Sequence, residues 1–187
     1  MSPFVTNPVT SARSRKQRGF SLIELLIVVA IIVILITMAL PSLTKSKMSA
    51  NEAAAAGALR QISQAETQYS TTYTIKGFAD SLQALGNGGL ANGTTCMPAP
   101  EHACLIDSSL STGSMSGYRF VVLGGTPVNG VNMTFSAGAA PLAYNSTGVR
   151  LFCVTSDDSH IRYDANVGAS TTPPSPTVCA SGQFSPM

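Results

Sequence analysis

RGFSLIELLIVVAIIVILITMALPSL, from Arg18 to Leu43, decides how the rest of the chain is read. Phe20 to Leu40 is apolar except for Ser21, Thr37 and a single charge, Glu24. As a helix these residues would reach roughly 31 Å, the thickness of a bilayer's hydrocarbon core. Arg13, Arg15, Lys16 and Arg18 precede the run, and only Lys45 and Lys47 follow closely, partly offset by Glu52. That asymmetry predicts a cytoplasmic N-terminus and an exported remainder. A cleaved secretory signal would carry a shorter apolar region and a small-x-small site, and Ala39-Leu40-Pro41 is a poor one.

A plain single-span anchor would fit the length but would not explain Glu24. A carboxylate in a spanning segment costs up to about 3 kcal/mol near the middle and marks function by default. Gly19-Phe20-Ser21-Leu22-Ile23-Glu24, after a basic leader and before the apolar run, resembles the processing motif of type IV pilins and type II secretion pseudopilins. The resemblance implies cleavage between Gly19 and Phe20 by a membrane peptidase that also methylates the new amine of Phe20. It makes Glu24 the acid at the fifth mature residue. The amine and Glu24 would lie about one helical turn apart. Between neighbouring subunits such a pair attracts by about 4 kcal/mol at 4 Å and an effective dielectric near 20, before desolvation. A charge that is costly alone in lipid thereby sets the register of a helical bundle.

The resemblance also implies partners: further copies of the chain in a helical homopolymer, the membrane before assembly, a prepilin peptidase/methylase, an inner-membrane platform protein, an assembly ATPase and minor pilins. No cofactor is expected. The expected role is structural, a type IV pilus subunit for motility, adhesion or DNA uptake. The alternatives are a pseudopilin of a type II secretion system, or a minor tip pilin that binds a surface or DNA.

Composition bounds the remainder. The 187-residue chain carries eleven Lys/Arg and nine Asp/Glu, a formal net charge of +2. Loss of residues 1–19 removes four cations and no acids, leaving seven against nine, or −2. No basic patch argues for general nucleic-acid binding. Cys96, Cys104, Cys153 and Cys179 form no C-x-x-C pair and have no histidine at zinc spacing. An even count on an exported domain predicts two disulfides. Three connectivities are open; the expected pairs are Cys96–Cys104, closing a short loop, and Cys153–Cys179, tying the tail to a strand.

The chain divides into a leader (1–19), a membrane or filament-core helix (20–41), the helix's second half (42–74), a helix-to-sheet loop (75–117) and a sheet with a disulfide-tied tail (118–187). At 19 residues the leader is longer than usual for pilins whose mature chain begins with phenylalanine, which leaves the subclass open. Pro41 removes a helical hydrogen bond and is expected to kink rather than end the helix. Beyond it, Ala55, Leu59, Ile62, Tyr69 and Tyr73 recur at three- and four-residue steps, one apolar stripe once Glu66 is left out. Strands are expected at Tyr118–Leu123, Val131–Ser136, Gly148–Thr155 and His160–Asp164. In pilin-type proteins the second strand would end near Ala140-Pro141. Helix followed by strands makes the class α+β, an antiparallel meander packed on a long helix. The serine- and proline-rich tail from Gly168 should lie on the surface, held by Cys179 rather than packed.

Other candidate sites are weaker. Asp157, Asp158, His160 and Asp164 could supply some calcium oxygens, but read better as an Asp-initiated hairpin turn. Ser156 or Ser159 with His160 has a hydrolase's ingredients, but adjacent turn residues rarely converge on one point, and no enzyme is expected. Asn92-Gly93-Thr94, Asn132-Met133-Thr134 and Asn145-Ser146-Thr147 match the N-glycosylation pattern, which means little in the bacterial cell that the export route implies.

Overall fold

Alanine and straight-chain residues favour helix in the second half of the long helix. The first half is rich in β-branched Ile and Val, which propensity alone favours less, and its helix rests on the length of the uninterrupted apolar run. In the computed structural model, which describes residues 20–89, 95–165, 168–180 and 183–187, helix α1 runs through Leu22–Thr72, 51 residues, with Pro41 inside it. Its first bond joins the Leu25 N–H to the Ser21 carbonyl, and the Tyr73 N–H still donates to Tyr69. Two compact units meet within this helix, one ending at Pro41 and the other beginning at Ser42. The leader through Gly19, and Asn92-Gly93-Thr94, lie outside the described residues.

The second unit is an α+β layer. Strands β1 (Ser114–Met115), β2 (Tyr118–Gly124), β3 (Phe135–Pro141), β4 (Leu151–Thr155), β5 (Asp158–Asp164) and β6 (Ser185–Pro186) form one sheet in sequence order. All its pairings are antiparallel. Ala55, Ala56, Ala58, Leu59, Ile62 and Ala65 of α1 are buried with Tyr118, Phe120 and Val122 of β2, Ala137 and Ala139 of β3, and Phe152 and Val154 of β4. The small alanine side chains let the helix approach the sheet closely.

Strand residues alternate faces, so Leu151 and Cys153 point away from that core. They are nonetheless buried, in a second cluster with Ala140, Cys179 and Phe184. The tail supplies this cover and so departs from the expected surface position. It forms helix α4 (Pro176–Ala180) and strand β6, which pairs with Arg162 and Tyr163 of β5. Phe184 drives the docking because an uncovered outer face of β3 and β4 would leave apolar side chains in water. Gly138 permits it: a Cβ there would stand 2.8 Å from the Pro174 carbonyl oxygen.

Three strand boundaries move from expectation, each for a visible reason. Residues 131–134 do not join the sheet. Asn132 instead bonds the chain after α1: its N–H donates to Lys76, its carbonyl accepts from Phe78 and its amide donates to the Phe78 carbonyl. β3 therefore starts at Phe135, and it does end at Pro141. β4 starts at Leu151 rather than Gly148, because the Val149 and Arg150 N–H groups donate to the Glu52 carboxylate. β5 starts at Asp158, opposite Thr155, which leaves a two-residue turn, Ser156-Asp157. The helix-to-sheet region also holds two one-turn helices, α2 (Leu82–Leu85) and α3 (Ser108–Ser111), capped by Ser81 and Asp107.

Cys96 is bonded to Cys104 and Cys153 to Cys179, across sequence separations of 8 and 26. Chain entropy assigns them about 2.5 and 3.5 kcal/mol. Replacing Cys153 and Cys179 by serine should therefore destabilise the sheet unit more than replacing Cys96 and Cys104, by about 1 kcal/mol. Denaturant titration of both double variants in detergent micelles checks the order.

Candidate assembly site

The first unit presents apolar surface and one acid. Phe20 is 82% exposed, and Leu22 to Ile36 carry exposed large apolar side chains on every face. A helix apolar all round is normally covered by lipid or by other helices. Among the described residues no single unbroken helix is long and apolar enough to cross a membrane; Leu22–Thr37 and Leu40–Thr72 reach that standard only as a pair. Glu24 sits in the first turn of α1, where the helix dipole favours negative charge. Phe20 lies just ahead of the helix, four residues from Glu24. The arrangement sets a carboxylate one turn from the position where a free amine would start the processed chain.

In the second unit the acidic turn is internally satisfied. Asp158 accepts from the Arg162 guanidinium at 2.6 Å and from the His160 N–H at 3.0 Å. The hydrogen bond from Arg162 holds its carboxyl below the usual carboxylate range. Asp157 accepts from the Ser156 hydroxyl, and Asp164 is buried along β5. Among the described residues no group of three or more His, Cys, Asp or Glu is placed to hold a metal. His160 is exposed, and the Ser156 hydroxyl is directed at Asp157 rather than at the imidazole.

Two acids matter more than the sequence suggested. Glu52 joins α1 to the start of β4, through the Val149 and Arg150 N–H groups and a 3.6 Å ion pair with Arg150. Arg150 in turn lies over the Tyr163 ring. Glu66 is fully buried on the apolar stripe of α1. One carboxyl oxygen accepts from the Ala79 N–H at 2.9 Å, and the other has no partner among the described residues. Burial pushes its pKa up to about 8; the Ala79 hydrogen bond opposes this and nearby Asp80 adds to it. Close by, the Tyr69 hydroxyl donates to the Pro100 carbonyl, which ties α1 to the Cys96–Cys104 loop. The sequence did hold a signal for Glu66, since it falls in register with Ile62 and Tyr69. An acid on a core stripe is itself the anomaly.

Compared with known families, residues 14–40 match the model described as Prokaryotic N-terminal methylation motif. The match runs from the basic leader, through Gly19, Phe20 and Glu24, to the end of the apolar run. No curated protein and no solved structure gives a significant match.

The Glu66 carboxyl makes stability depend on pH. Its folded pKa lies above the ordinary 4.5, so the folded state keeps a proton that the unfolded state releases. Stability should be greatest below about pH 4.5 on this account, and fall by roughly 1 kcal/mol per unit as pH rises towards 8. Glu66→Gln cannot ionise and should flatten that slope. Urea midpoints of both forms between pH 5 and 8 check it; an unchanged slope in the variant would assign the dependence elsewhere.

Proposed function

We propose that this chain, whose N-terminus is a prepilin signal, is the main repeating subunit of a type IV pilus. The observation that carries the reading is the exposed apolar half of α1 with its single acid, Glu24, one turn from the Phe20 cleavage position. Prepilin peptidase cuts after Gly19 and methylates the amine of Phe20. The subunit waits in the inner membrane, N-terminus cytoplasmic, with lipid covering the apolar helix.

Assembly replaces lipid with the helices of neighbouring subunits. Lipid tails are as apolar as the side chains they cover, so burial alone gives little preference for the filament. A polar term must supply direction and register. Glu24 of one subunit and the amine of the next provide it, each neutralising a charge that is costly in an apolar core. The contact is heterologous, one surface docking on a different one, so it propagates without closing. The sheet unit then faces outward. Two disulfides suit that exported position. Platform protein, assembly ATPase and minor pilins are the implied partners, and the role is structural, with motility, adhesion or DNA uptake as its outlets.

A pseudopilin would share the processing chemistry but stay with the membrane. N-terminal mass spectrometry on filaments sheared from cells should find an abundant chain beginning at N-methylated Phe20. The same N-terminus confined to membranes would shift the assignment to a pseudopilin or a rare tip subunit. Gly19→Ala should leave uncleaved precursor in the membrane, and normal processing would refute the peptidase assignment. Glu24→Ala should be cut normally yet lower filament yield sharply, by tenfold or more.

A further inference from the structure

β2 is paired along its whole length on one side only. There, Tyr118 to Gly124 face Pro141 to Phe135 of β3. On the other side β1 covers only Tyr118 and Arg119. The chain before β1 does not continue along β2, because Asp107 caps α3 and turns it away. Hydrogen bonding alternates along an antiparallel ladder. The Leu142 N–H donates to the Gly117 carbonyl and the Gly125 N–H to the Thr134 carbonyl, so odd-numbered residues bond towards β3. The Phe120 N–H donates the opposite way, to the Gly113 carbonyl. Val122 is next in that series, and its N–H and carbonyl meet no partner among the described residues on that side.

This edge opens into a cavity of about 510 Å³. Ser81 and Gln83 wall one flank, Thr112 and Gly113 close one end, and Phe120 to Val122 form the floor. Arg119 also lines it, exposed and without an ion pair among the described residues. An unpaired strand edge selects an extended backbone, since only another strand offers alternating carbonyl and N–H groups at the matching spacing. A free guanidinium selects a carboxylate.

We propose that the open edge of β2 takes an extended peptide segment of a partner protein, bound as an added antiparallel strand with a carboxylate on Arg119. The peptide occupies the place where β1 would have continued. Its C-terminal end abuts Gly113, and its acid lies towards the Arg119 end of the strand. Asp80, whose backbone lies beside Gly124, disfavours an acid at the peptide's other end. The partner is therefore a short β-prone segment with its acidic residue, or its own C-terminus, last.

The test uses the full chain in detergent micelles. The probe is a blocked six-residue peptide of alternating valine and threonine with one glutamate at its C-terminal end. Saturable binding by fluorescence anisotropy is expected, with slowed amide exchange at Val122. Arg119→Gln should weaken the glutamate peptide at least fivefold and leave its glutamine analogue unchanged. Methylating the peptide's backbone nitrogens should abolish binding to both proteins. The proposal is overturned by equal binding of the methylated peptide, by no saturable binding, or by an Arg119 effect that ignores the glutamate. Protection of Val122 that rises with protein concentration and needs no peptide would also overturn it, and would assign the edge to a second copy of the chain.

Discussion

The seating of α1's alanine face on the inner face of the sheet is the contact from which the second unit is built. Ala55, Ala56, Ala58 and Ala65 add little apolar area each, but they set how near the helix comes. That nearness brings Glu52 within reach of the Val149 and Arg150 N–H groups, and lets the Ala79 N–H reach Glu66. A larger residue at Ala55 or Ala58 would separate the layers and break polar contacts several turns apart. Interiors packed to this density transmit such a change rather than absorb it.

The two halves of this helix present different surfaces. Its first half is apolar on all sides and its second half on one. The first half gives the chain its need for a cover, and the second gives it a fold. Glu24 and Glu66 mark each half with one acid in an apolar setting, handled in opposite ways. Glu24 stands in the first turn of the helix, where the dipole favours negative charge. Glu66 lies deep in the core and is neutralised by holding its proton.

Long periodic patterns were legible in the sequence, and short-range competition for hydrogen bonds was not. The helix, its continuation through Pro41 and the α+β order followed from apolar spacing over tens of residues. The beginnings of β3, β4 and β5 did not. Asn132 is bound to Lys76 and Phe78, and the N–H groups of Val149 and Arg150 go to a carboxylate about a hundred residues away. β-propensity at Val131 or Val149 carries no information about such a distant partner. Glu66 was visible as a break in the stripe but was left out of it, with no role assigned. The tail misled by composition: its serines and prolines suggest a solvated segment, yet Phe184, Cys179 and the short strand β6 dock it on the sheet. At the N-terminus the opposite holds, since the motif that matches residues 14–40 is contiguous and its meaning is local in sequence.

The tail's close seat over β3 needs a glycine at position 138, and this gives the domain an unusual failure mode. Any side chain at that position would lever Pro174 away while leaving α1 and the inner core in place. The Cys153–Cys179 bond would still tether the tail and the inner core would stay folded, but the cover over Ala140 and Leu151 would loosen. A newly bared apolar sheet face is a self-associating surface. Damage here would therefore surface as clumping of otherwise folded chains, a loss of solubility more than a loss of fold.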